Sequence, residues 1–505
     1  MSDSVNSYRQ ILRSTSIIGG ASFLNILIGL ARVKVVAVLL GPAGVGLIGL
    51  LVNLVTTASS VAALGLGAVG TRQIAEAAGR DDDRAVAVAR RALFWGTLAL
   101  SAVGALVFWL LRGVLAAQVL ADPALSYEVG WLALGVGLTV AGGSQGALLN
   151  GLRRIGDLAR VSVVSAVLST IFGVGALLLW HERGILIYLL MTPVASFVVG
   201  HWYVARLPRV QVPPTPLGEL ARQWGTLARL GTAFMLAGVV GTAGELVVRT
   251  LVQRTLGAEA LGQFEASWLI SMTYIGFVLR TMGTDYYPRL TAVIQDHAAA
   301  NKLVNEQTEV ALLLAGPVFL AMLGLAPWVI ELLYSSRFAE AATILRWQIL
   351  GDILKVVSWP LGFIILAAGD GRTFILSEVL GMAVFVLCVW IGLPLLGVRA
   401  TGFGFLMVYV IYLPLVYWLA VKRTGFRWAR SVAARALVLF AIGAVAAIIA
   451  EIHALAAAAF SGVMAIGFAV IGLKRLAQMT DFNGPNVGLA LYCRKFALML
   501  GLGRK

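Results

Sequence analysis

The chain has 505 residues, of which 60% are hydrophobic and 12% are charged, and its mean hydropathy is +0.90. Soluble proteins carry about 25% charged residues, so this composition excludes a soluble globular protein and predicts an all-α polytopic membrane protein. The formal net charge of +15 could indicate a nucleic-acid partner. The positions of the basic residues, described below, give another explanation for this charge.

Long apolar runs separated by short polar breaks predict about fourteen transmembrane helices, each near the ~20 residues that cross a bilayer. In chain order, the predicted spans are residues 15–40, 44–67, 90–111, 127–149, 158–180, 185–205, 230–253, 262–284, 308–333, 343–368, 373–396, 401–421, 433–450 and 454–473. The first run is too long for the hydrophobic part of a cleavable signal peptide, so we expect a retained first helix. Only Glu451, Ile452 and His453 separate the last two spans, which form either a helical hairpin or one interfacial element.

A proline-rich segment divides the first twelve predicted spans into two groups of six. Four prolines lie between residues 206 and 216. We therefore expect a first six-helix lobe at 1–212, a second lobe at 213–424, and an additional hairpin with a basic tail at 425–505. Because each lobe has an even number of helices, both lobes enter the membrane from the same side as parallel repeats, and the substrate is expected in a cavity between them.

Two stretches about 216 positions apart read alike, which supports two pseudo-symmetric lobes. The first contains Lys34, Leu40-Gly41, Gly46 and Gly70-Thr71-Arg72, and the second contains Arg249, Leu256-Gly257, Gly262 and Gly283-Thr284-Asp285. The same order of a basic residue, a Leu-Gly pair, a glycine and a Gly-Thr pair predicts a duplicated helical bundle, which is a common construction of membrane transporters.

The basic residues indicate the orientation of the chain in the membrane. Most of the 39 lysine and arginine residues fall in the segments that are cytoplasmic if the N-terminus is cytoplasmic. This asymmetry predicts that both termini face the cytoplasm. It also accounts for the net charge, so no nucleic-acid partner is expected.

Basic side chains inside the predicted spans are candidates for binding an anion. A charge at the bilayer centre costs about 2.5–3.5 kcal/mol on insertion scales, so its retention calls for an explanation. Lys34 and Arg249 occupy corresponding places in the two halves and could face each other across the cavity. Alternatively, Arg249 pairs with Glu245 four residues earlier, or extends toward the membrane surface. Arg72, Arg153 and Arg154 lie at cytoplasmic helix ends, where they meet lipid phosphates or a phosphorylated substrate.

Acidic side chains at membrane depth are candidates for ion coupling or gating, because desolvation favours their protonated form. Asp352 and Lys355 lie one helical turn apart near the middle of the tenth span, as a coupling site or as a self-neutralising pair. Glu265, Asp285 and Glu378 are further candidates, with a structural interhelical hydrogen bond as the alternative for each. Glu245 is also a candidate, with the pair to Arg249 as its alternative.

Motifs for other chemistry are absent from the sequence. No Gly-Lys pair occurs, so the chain carries no P-loop ATPase. The four histidines and two cysteines show no metal-ligand spacing. We therefore expect no metal and no cofactor.

Several motifs together resemble the bacterial Wzx-type flippases of O-antigen and lipid III repeat units, within the multidrug/oligosaccharidyl-lipid/polysaccharide exporter superfamily. The similarity extends over roughly residues 10–422. The motifs are Gly41-Pro42-Ala43-Gly44, Gly151-Leu152-Arg153, Tyr286-Tyr287-Pro288-Arg289-Leu290, Arg337-Phe338, Trp347-Gln348-Ile349-Leu350-Gly351-Asp352-Ile353-Leu354-Lys355 and Phe374-Ile375-Leu376-Ser377-Glu378-Val379.

The resemblance implies a secondary transporter in the bacterial inner membrane, and not an enzyme. Such a protein moves an undecaprenyl-diphosphate-linked oligosaccharide from the cytoplasmic to the periplasmic leaflet by alternating access, driven by ions or by the membrane potential. Expected partners are membrane lipids, a polysaccharide polymerase and a chain-length regulator. The diphosphate is then expected on a set of basic side chains that comprises Lys34, Arg249, Arg153, Arg280 and Arg72.

The sequence also departs from the family pattern in two places. Flippases of this type usually have twelve helices, so residues 425–505 are an addition. Met272 stands where the family pattern places an acidic residue, and Glu265 could substitute for it from two helical turns away.

Three rival functions follow from the same observations. A cation-coupled multidrug exporter of the same superfamily would have an acidic cavity, which the basic first half disfavours. A membrane-bound polysaccharide polymerase or ligase would need large outer loops, and the predicted outer loops are short. A non-transporting scaffold leaves the charges inside the membrane unexplained.

Overall fold

The structure is a computed structural model that describes residues 2–80, 82–208 and 217–480. Within these ranges the chain is all-helical, with thirteen α-helices and no β-strand. The helices are α1 Ser2–Ala62, α2 Leu66–Ala78, α3 Asp83–Leu115, α4 Ser126–Gly151, α5 Ile155–Trp180, α6 Ile185–Ala205, α7 Leu217–Val293, α8 His297–Leu333, α9 Ala339–Ala367, α10 Gly371–Leu396, α11 Arg399–Thr424, α12 Arg430–Ile452 and α13 Ala454–Thr480. The predicted all-α class is confirmed.

The helices account for the apolar segments of the sequence. Among the described residues, ten helical stretches are long and apolar enough to cross a membrane, so the chain is a multi-pass membrane protein. The fourteen predicted spans all fall in helices, with two in α1, two in α7 and one in each helix from α3 to α6 and from α8 to α13. Two features differ from the prediction. A short helix, α2, follows the second span, and α8 begins at His297, before the predicted boundary at 308.

Glycine interrupts both of the longest helices at equivalent places. Gly41 breaks α1 with φ 65° and ψ −166°, and Gly257 breaks α7 with φ 85° and ψ 178°. Only glycine adopts such positive φ values without steric cost, because a side chain would clash with the backbone. These two positions are the Gly41/Gly257 pair of the sequence repeat, so the repeated motif corresponds to a repeated helix break.

Two further glycine contacts bring α1 and α7 together without side chains between them. A Cβ atom on Gly46 would overlap the carbonyl oxygen of Ala258, and one on Gly262 would overlap that of Pro42. At the other end, Gly65 and Gly231 are in backbone contact. We call this antiparallel contact between α1 and α7 the α1–α7 seam. Between its ends, Thr57 Oγ1 donates to the carbonyl oxygen of Thr242 at 3.2 Å.

The chain divides into two compact units. The first comprises Met1–Gly262 and Leu333–Ser335, and the second comprises Gln263–Leu332 and Ser336–Lys505. In the first unit, α4 packs against α2, α3 and α6. In the second, α9 packs against α11 and α12 and is the most buried helix, with residues such as Ile349, Asp352 and Ile353 inaccessible to solvent. The predicted lobe boundaries at 212 and 424 stay predictions.

The C-terminal pair of helices is a hairpin that packs on α8. The buried carboxylate of Glu309 in α8 accepts hydrogen bonds from Arg435 in α12 and from Arg475 in α13, the latter at 3.1 Å. Farther along α8, Gly324 contacts Ser461 of α13, where a side chain on the glycine would not fit. Residues 430–480 are therefore an integral part of the second unit.

We predict that Glu309→Gln destabilises the protein by about 1–3 kcal/mol, because a buried site would then hold two guanidinium groups without their counter-charge. Thermal unfolding of the purified protein in detergent measures this change. Glu306→Gln is the matched control, since Glu306 is 53% exposed and lies 3.9 Å from Lys302. Equal melting temperatures for the two variants would contradict the prediction.

Candidate functional site

The first unit holds Arg249 of α7 in a buried polar cluster. Its Nη1 atom donates to Oε2 of Glu245 at 2.9 Å, and the side chain of Arg249 is almost inaccessible. Asn53 of α1 donates to the same carboxylate oxygen at 3.4 Å. The carboxylate therefore offsets the arginine charge inside the membrane and also connects α7 to α1 across the α1–α7 seam. The ion pair between Glu245 and Arg249, which their four-residue spacing suggested, is therefore present.

Lys34 lies on α1, before the break at Gly41. Its Nζ atom donates to the carbonyl oxygen of Tyr334 at 2.7 Å, and the side chain is half-buried. A carbonyl oxygen is neutral, so this bond positions the ammonium group without cancelling its charge. Two residues earlier, Arg32 lies over the ring of Tyr188 at 4.1 Å and donates to Thr192 Oγ1 at 3.0 Å. The structure thus holds Lys34 on a carbonyl group and Arg249 on a carboxylate.

Two of the predicted phosphate ligands lie on the surface. Arg72 of α2 forms an ion pair with Glu76 at 2.7 Å, and both side chains are at least half exposed. The hydrogen bond and charge of Glu76 raise the pKa of Arg72, and those of Arg72 lower the pKa of Glu76, so both groups stay ionised. Arg153 is exposed in the turn after α4, with a left-handed φ of 55°.

The second unit contains a fully buried carboxylate on α9. Asp352 is inaccessible to solvent, and its Oδ2 atom accepts hydrogen bonds from Ser271 Oγ at 2.7 Å and from the Tyr274 hydroxyl at 2.5 Å. Its Oδ1 atom is buried and makes no hydrogen bond to the described part of the chain. One helical turn earlier, Gln348 is also inaccessible, and neither amide atom has a hydrogen-bond partner among the described residues. Unused hydrogen-bonding capacity in a buried site is rare and costly, and often marks a functional position.

Lys355 follows Asp352 on α9 and has an aromatic environment. Its Nζ atom lies 5.5 Å from the ring centre of Phe405 and 5.7 Å from that of Tyr409, distances at which a ring face attracts a cation. The sulfur of Met272 is 4.0 Å away. The residue at the position where the family pattern has an acid therefore contacts this lysine.

The remaining predicted residues have varied positions. Glu265 of α7 is buried. Asp285 is exposed and pairs with Arg289 at 3.1 Å on the same helix. Glu378 of α10 accepts a hydrogen bond from the Tyr412 hydroxyl at 2.6 Å. The side chain of Arg280 lies outside the described residues.

The sequence offered weaker signals for several residues that the structure brings to these clusters. Asn53 and Gln348 are single amides inside otherwise apolar spans, and their partners depend on tertiary packing. Ser271 and Tyr274 share one face of α7, but a hydroxyl there is usually satisfied by its own helix. Within the described residues, no three His, Cys, Asp or Glu side chains are grouped as a metal site would require.

The helical arrangement is similar to those of solved transporter structures. The "Lipid II flippase MurJ, inward closed conformation" aligns with a TM-score of 0.68 at 12% identity, covering 91% of this chain and 99% of that chain. The inward-facing "multidrug resistance MATE family transporter of the MOP superfamily" aligns with a TM-score of 0.66 at 15% identity, covering 81% of this chain and 98% of that chain. These likenesses show the fold.

Sequence comparison identifies closer relatives. The "Lipid III flippase" of Escherichia coli (strain K12) is 24% identical over 394 residues, which are 77% of this chain and 92% of that protein, and the "Lipid III flippase" of Shigella flexneri gives the same values. The family described as "Polysaccharide biosynthesis protein" matches residues 35–343, more than half of the chain. On this match, the chain belongs to the polysaccharide biosynthesis protein family.

Proposed function

We propose that this chain is a flippase that moves undecaprenyl-diphosphate-linked oligosaccharides from the cytoplasmic to the periplasmic leaflet of the bacterial inner membrane. The observation that carries the proposal is a set of charged side chains that an all-helical membrane protein retains at membrane depth. Lys34, the Glu245–Arg249 pair and Asp352 lie on three helices whose other residues are mainly apolar. Intramembrane charges of this kind mark ion and substrate pathways.

The relatives support the class of substrate. Both are lipid III flippases, and the alignment covers 92% of their length. A transporter is favoured over an enzyme, because flippases and exporters predominate among the similar proteins. A polymerase and a chain-length regulator as partners belong to the same proposal, since a flipped repeat unit must be consumed at the outer face.

Lys34 is the basic residue that best suits the diphosphate. Its Nζ atom donates to the neutral carbonyl of Tyr334, and a lysine ammonium group at membrane depth attracts an anion. Arg249 differs, because the carboxylate of Glu245 at 2.9 Å already balances its charge. We propose that Lys34 contacts the diphosphate and that Arg249 supports the site through the cluster with Asn53. Arg153 and Arg72, exposed at the end predicted to be cytoplasmic, would attract the substrate before it enters.

Asp352 is the residue that we propose for ion coupling. Its Oδ2 atom is fixed by two hydroxyl donors from α7, whereas its buried Oδ1 atom has capacity for a proton or a cation. An ionised carboxylate buried in the membrane has a high free-energy cost. Uptake and release of a positive ion at Asp352 would therefore change the conformational free energy of the second unit appreciably. Because Ser271 and Tyr274 belong to α7, a change at Asp352 would act directly on the helix that also forms the α1–α7 seam.

Alternating access requires the α1–α7 seam to part at one end at a time. Glycine contacts suit this requirement, because backbone surfaces without interlocking side chains separate without rotamer changes. The contact of Gly65 and Gly231 lies toward the end predicted to be cytoplasmic, and the contact of Gly46 and Gly262 lies toward the other end. We propose that these two contacts open in turn.

The proposal is tested by translocation in proteoliposomes. A fluorescent undecaprenyl-diphosphate oligosaccharide is loaded, and the fraction that reaches the opposite leaflet is followed with and without proton and sodium gradients. We expect protein-dependent translocation that a gradient accelerates. Failure of folded protein to move this lipid under any gradient, together with efflux of cationic drugs from the same liposomes, would overturn the proposal in favour of a multidrug exporter.

We predict that Asp352→Asn removes the acceleration by the gradient, because an amide cannot take up a proton and binds a cation weakly. The ratio of translocation rates with and without the gradient should fall to about one. Asp285→Asn is the matched control, since Asp285 is exposed and pairs on the surface with Arg289. An Asp352→Asn variant that keeps the full gradient response would exclude Asp352 as the coupling residue.

We predict that Lys34→Ala lowers the translocation rate at limiting substrate by about tenfold or more, since one charge-assisted hydrogen bond contributes about 1.5–3 kcal/mol. Lys34→Arg should restore most of the rate, because it restores the charge. Lys302→Ala, at a lysine with a 78% exposed side chain, serves as the control. Wild-type rates for Lys34→Ala would refute the assignment of Lys34 to the diphosphate.

A further inference from the structure

A pocket in the first unit lies outside the clusters described above. Its volume is about 830 Å³, which is in the range of small-molecule sites. It is lined by the beginning of α3, the last turns of α4 and α6, and the turns that follow them. All of these segments lie toward the membrane face that the basic residues predict to be cytoplasmic. Of the residues that the sequence suggested for the substrate or a coupling ion, Arg154 alone lines it.

The mouth of the pocket is positively charged. Arg90 and Arg91 of α3 are half-buried in its wall, and Arg154 joins them from the turn before α5. Asp83 is the one acidic residue in the lining. Arg154 also approaches Asp157, but at 3.9 Å and with a half-exposed side chain, so this pair is weak. Three arginines in the lining of one pocket favour a phosphate, because the planar fork of arginine binds a phosphate with two hydrogen bonds.

Apart from its charged residues, the lining of the pocket is mainly apolar. Phe94 and Leu98 of α3, Leu148 of α4 and Phe197 of α6 form its walls. The hydroxyl groups in the lining are already satisfied within their own helices. Thr97 Oγ1 donates to the carbonyl oxygen of Leu93 at 2.8 Å, and Ser144 Oγ donates to that of Ala141 at 2.8 Å. Gln145 and His201 are the other uncharged polar residues of the lining, and the remaining uncharged residues are apolar. The interior therefore suits a hydrocarbon chain better than a sugar.

Along α3, the arginines of the pocket come first and the apolar residues follow. A membrane lipid has the same order, with a charged head group followed by hydrocarbon chains. Arg91 precedes Leu98 by seven residues, so the basic mouth and the apolar interior are separated by about 10 Å along the helix axis. Phe94 and Leu98 are also 51% and 43% exposed. Their apolar surface is therefore accessible to a hydrocarbon chain whose head group stays at the interface.

We propose that this pocket binds an anionic phospholipid of the cytoplasmic leaflet. Its phosphate lies between Arg90, Arg91 and Arg154, and part of one acyl chain lies against Phe94 and Leu98. The lipid carrier of the proposed substrate shares this phosphate and hydrocarbon chemistry. The phospholipid is favoured because every lining residue belongs to the first unit, so the ligand need not leave during transport. Basic pockets between transmembrane helices bind anionic head groups in this way.

Native mass spectrometry of the full-length protein tests the proposal with dioleoyl phosphatidylglycerol and dioleoyl phosphatidylcholine, which differ only in the head group. We expect the wild-type protein to retain phosphatidylglycerol about tenfold better, by the attraction of about one or two arginines. The double variant Arg90→Gln/Arg91→Gln should lower this preference to within about twofold. Arg160→Gln is the matched control, because Arg160 is outside the lining, and its 66% exposed side chain pairs with Asp157. It should behave as the wild type.

A second variant tests the apolar interior independently of charge. Ser144→Trp fills the pocket and should weaken retention of both lipids, and Leu98→Trp serves the same purpose if Ser144→Trp does not fold. Folding is checked by the melting temperature. Three results would each overturn the proposal: no preference for phosphatidylglycerol, an equal loss in Arg160→Gln, or displacement of phosphatidylglycerol by undecaprenyl diphosphate at equal or lower concentration. The last result would assign the pocket to the lipid carrier.

Discussion

The direct backbone contact between α1 and α7 is the constraint on which the positions of the charged groups depend. At Gly46 and Gly262, and again at Gly65 and Gly231, there is no room for a side chain. The helices that meet in this way carry Lys34 on one side and the Glu245–Arg249 pair on the other. A larger residue at these glycines would push the helices apart and break the bond from Asn53 to Glu245, which spans the same seam.

The two units hold charge by different means, and the difference suits different tasks. In the first unit, Arg249 is balanced by a carboxylate, and Lys34 donates to a neutral carbonyl. The proposed anionic substrate would bind beside these basic groups. In the second unit, Asp352 is held by two hydroxyl groups, which favours a positive ion. Both sets depend on α7, because it contributes Glu245 and Arg249 to one and Ser271 and Tyr274 to the other. The break at Gly257 lies between these two sets along α7.

The sequence predicted those features that depend on local composition and on repetition. Apolar runs predicted the multi-pass helical architecture. The Gly41/Gly257 repeat corresponds to the two helix breaks, because their combination of positive φ with extended ψ requires glycine. Features that depend on tertiary contacts could not be predicted. The bonds from Asp352 to Ser271 and Tyr274, and the ion triad that attaches the hairpin at Glu309, join residues about 80 to 170 positions apart. The carbonyl partner of Lys34 has no signature in the sequence at all, since every residue carries such a group.

The central claim is that transport requires the α1–α7 seam to part, and a reversible cross-link across its predicted cytoplasmic end tests it most directly. Leu64→Cys and Thr232→Cys flank the contact of Gly65 and Gly231, in a background where Cys388 and Cys493 are replaced by serine. A short, reductant-cleavable thiol cross-linker joins them, and the single-cysteine variants are the controls. The account predicts that cross-linked protein in liposomes translocates no lipid-linked oligosaccharide and regains its rate after cleavage. Translocation by the cross-linked protein at the rate of the cleaved protein would contradict it.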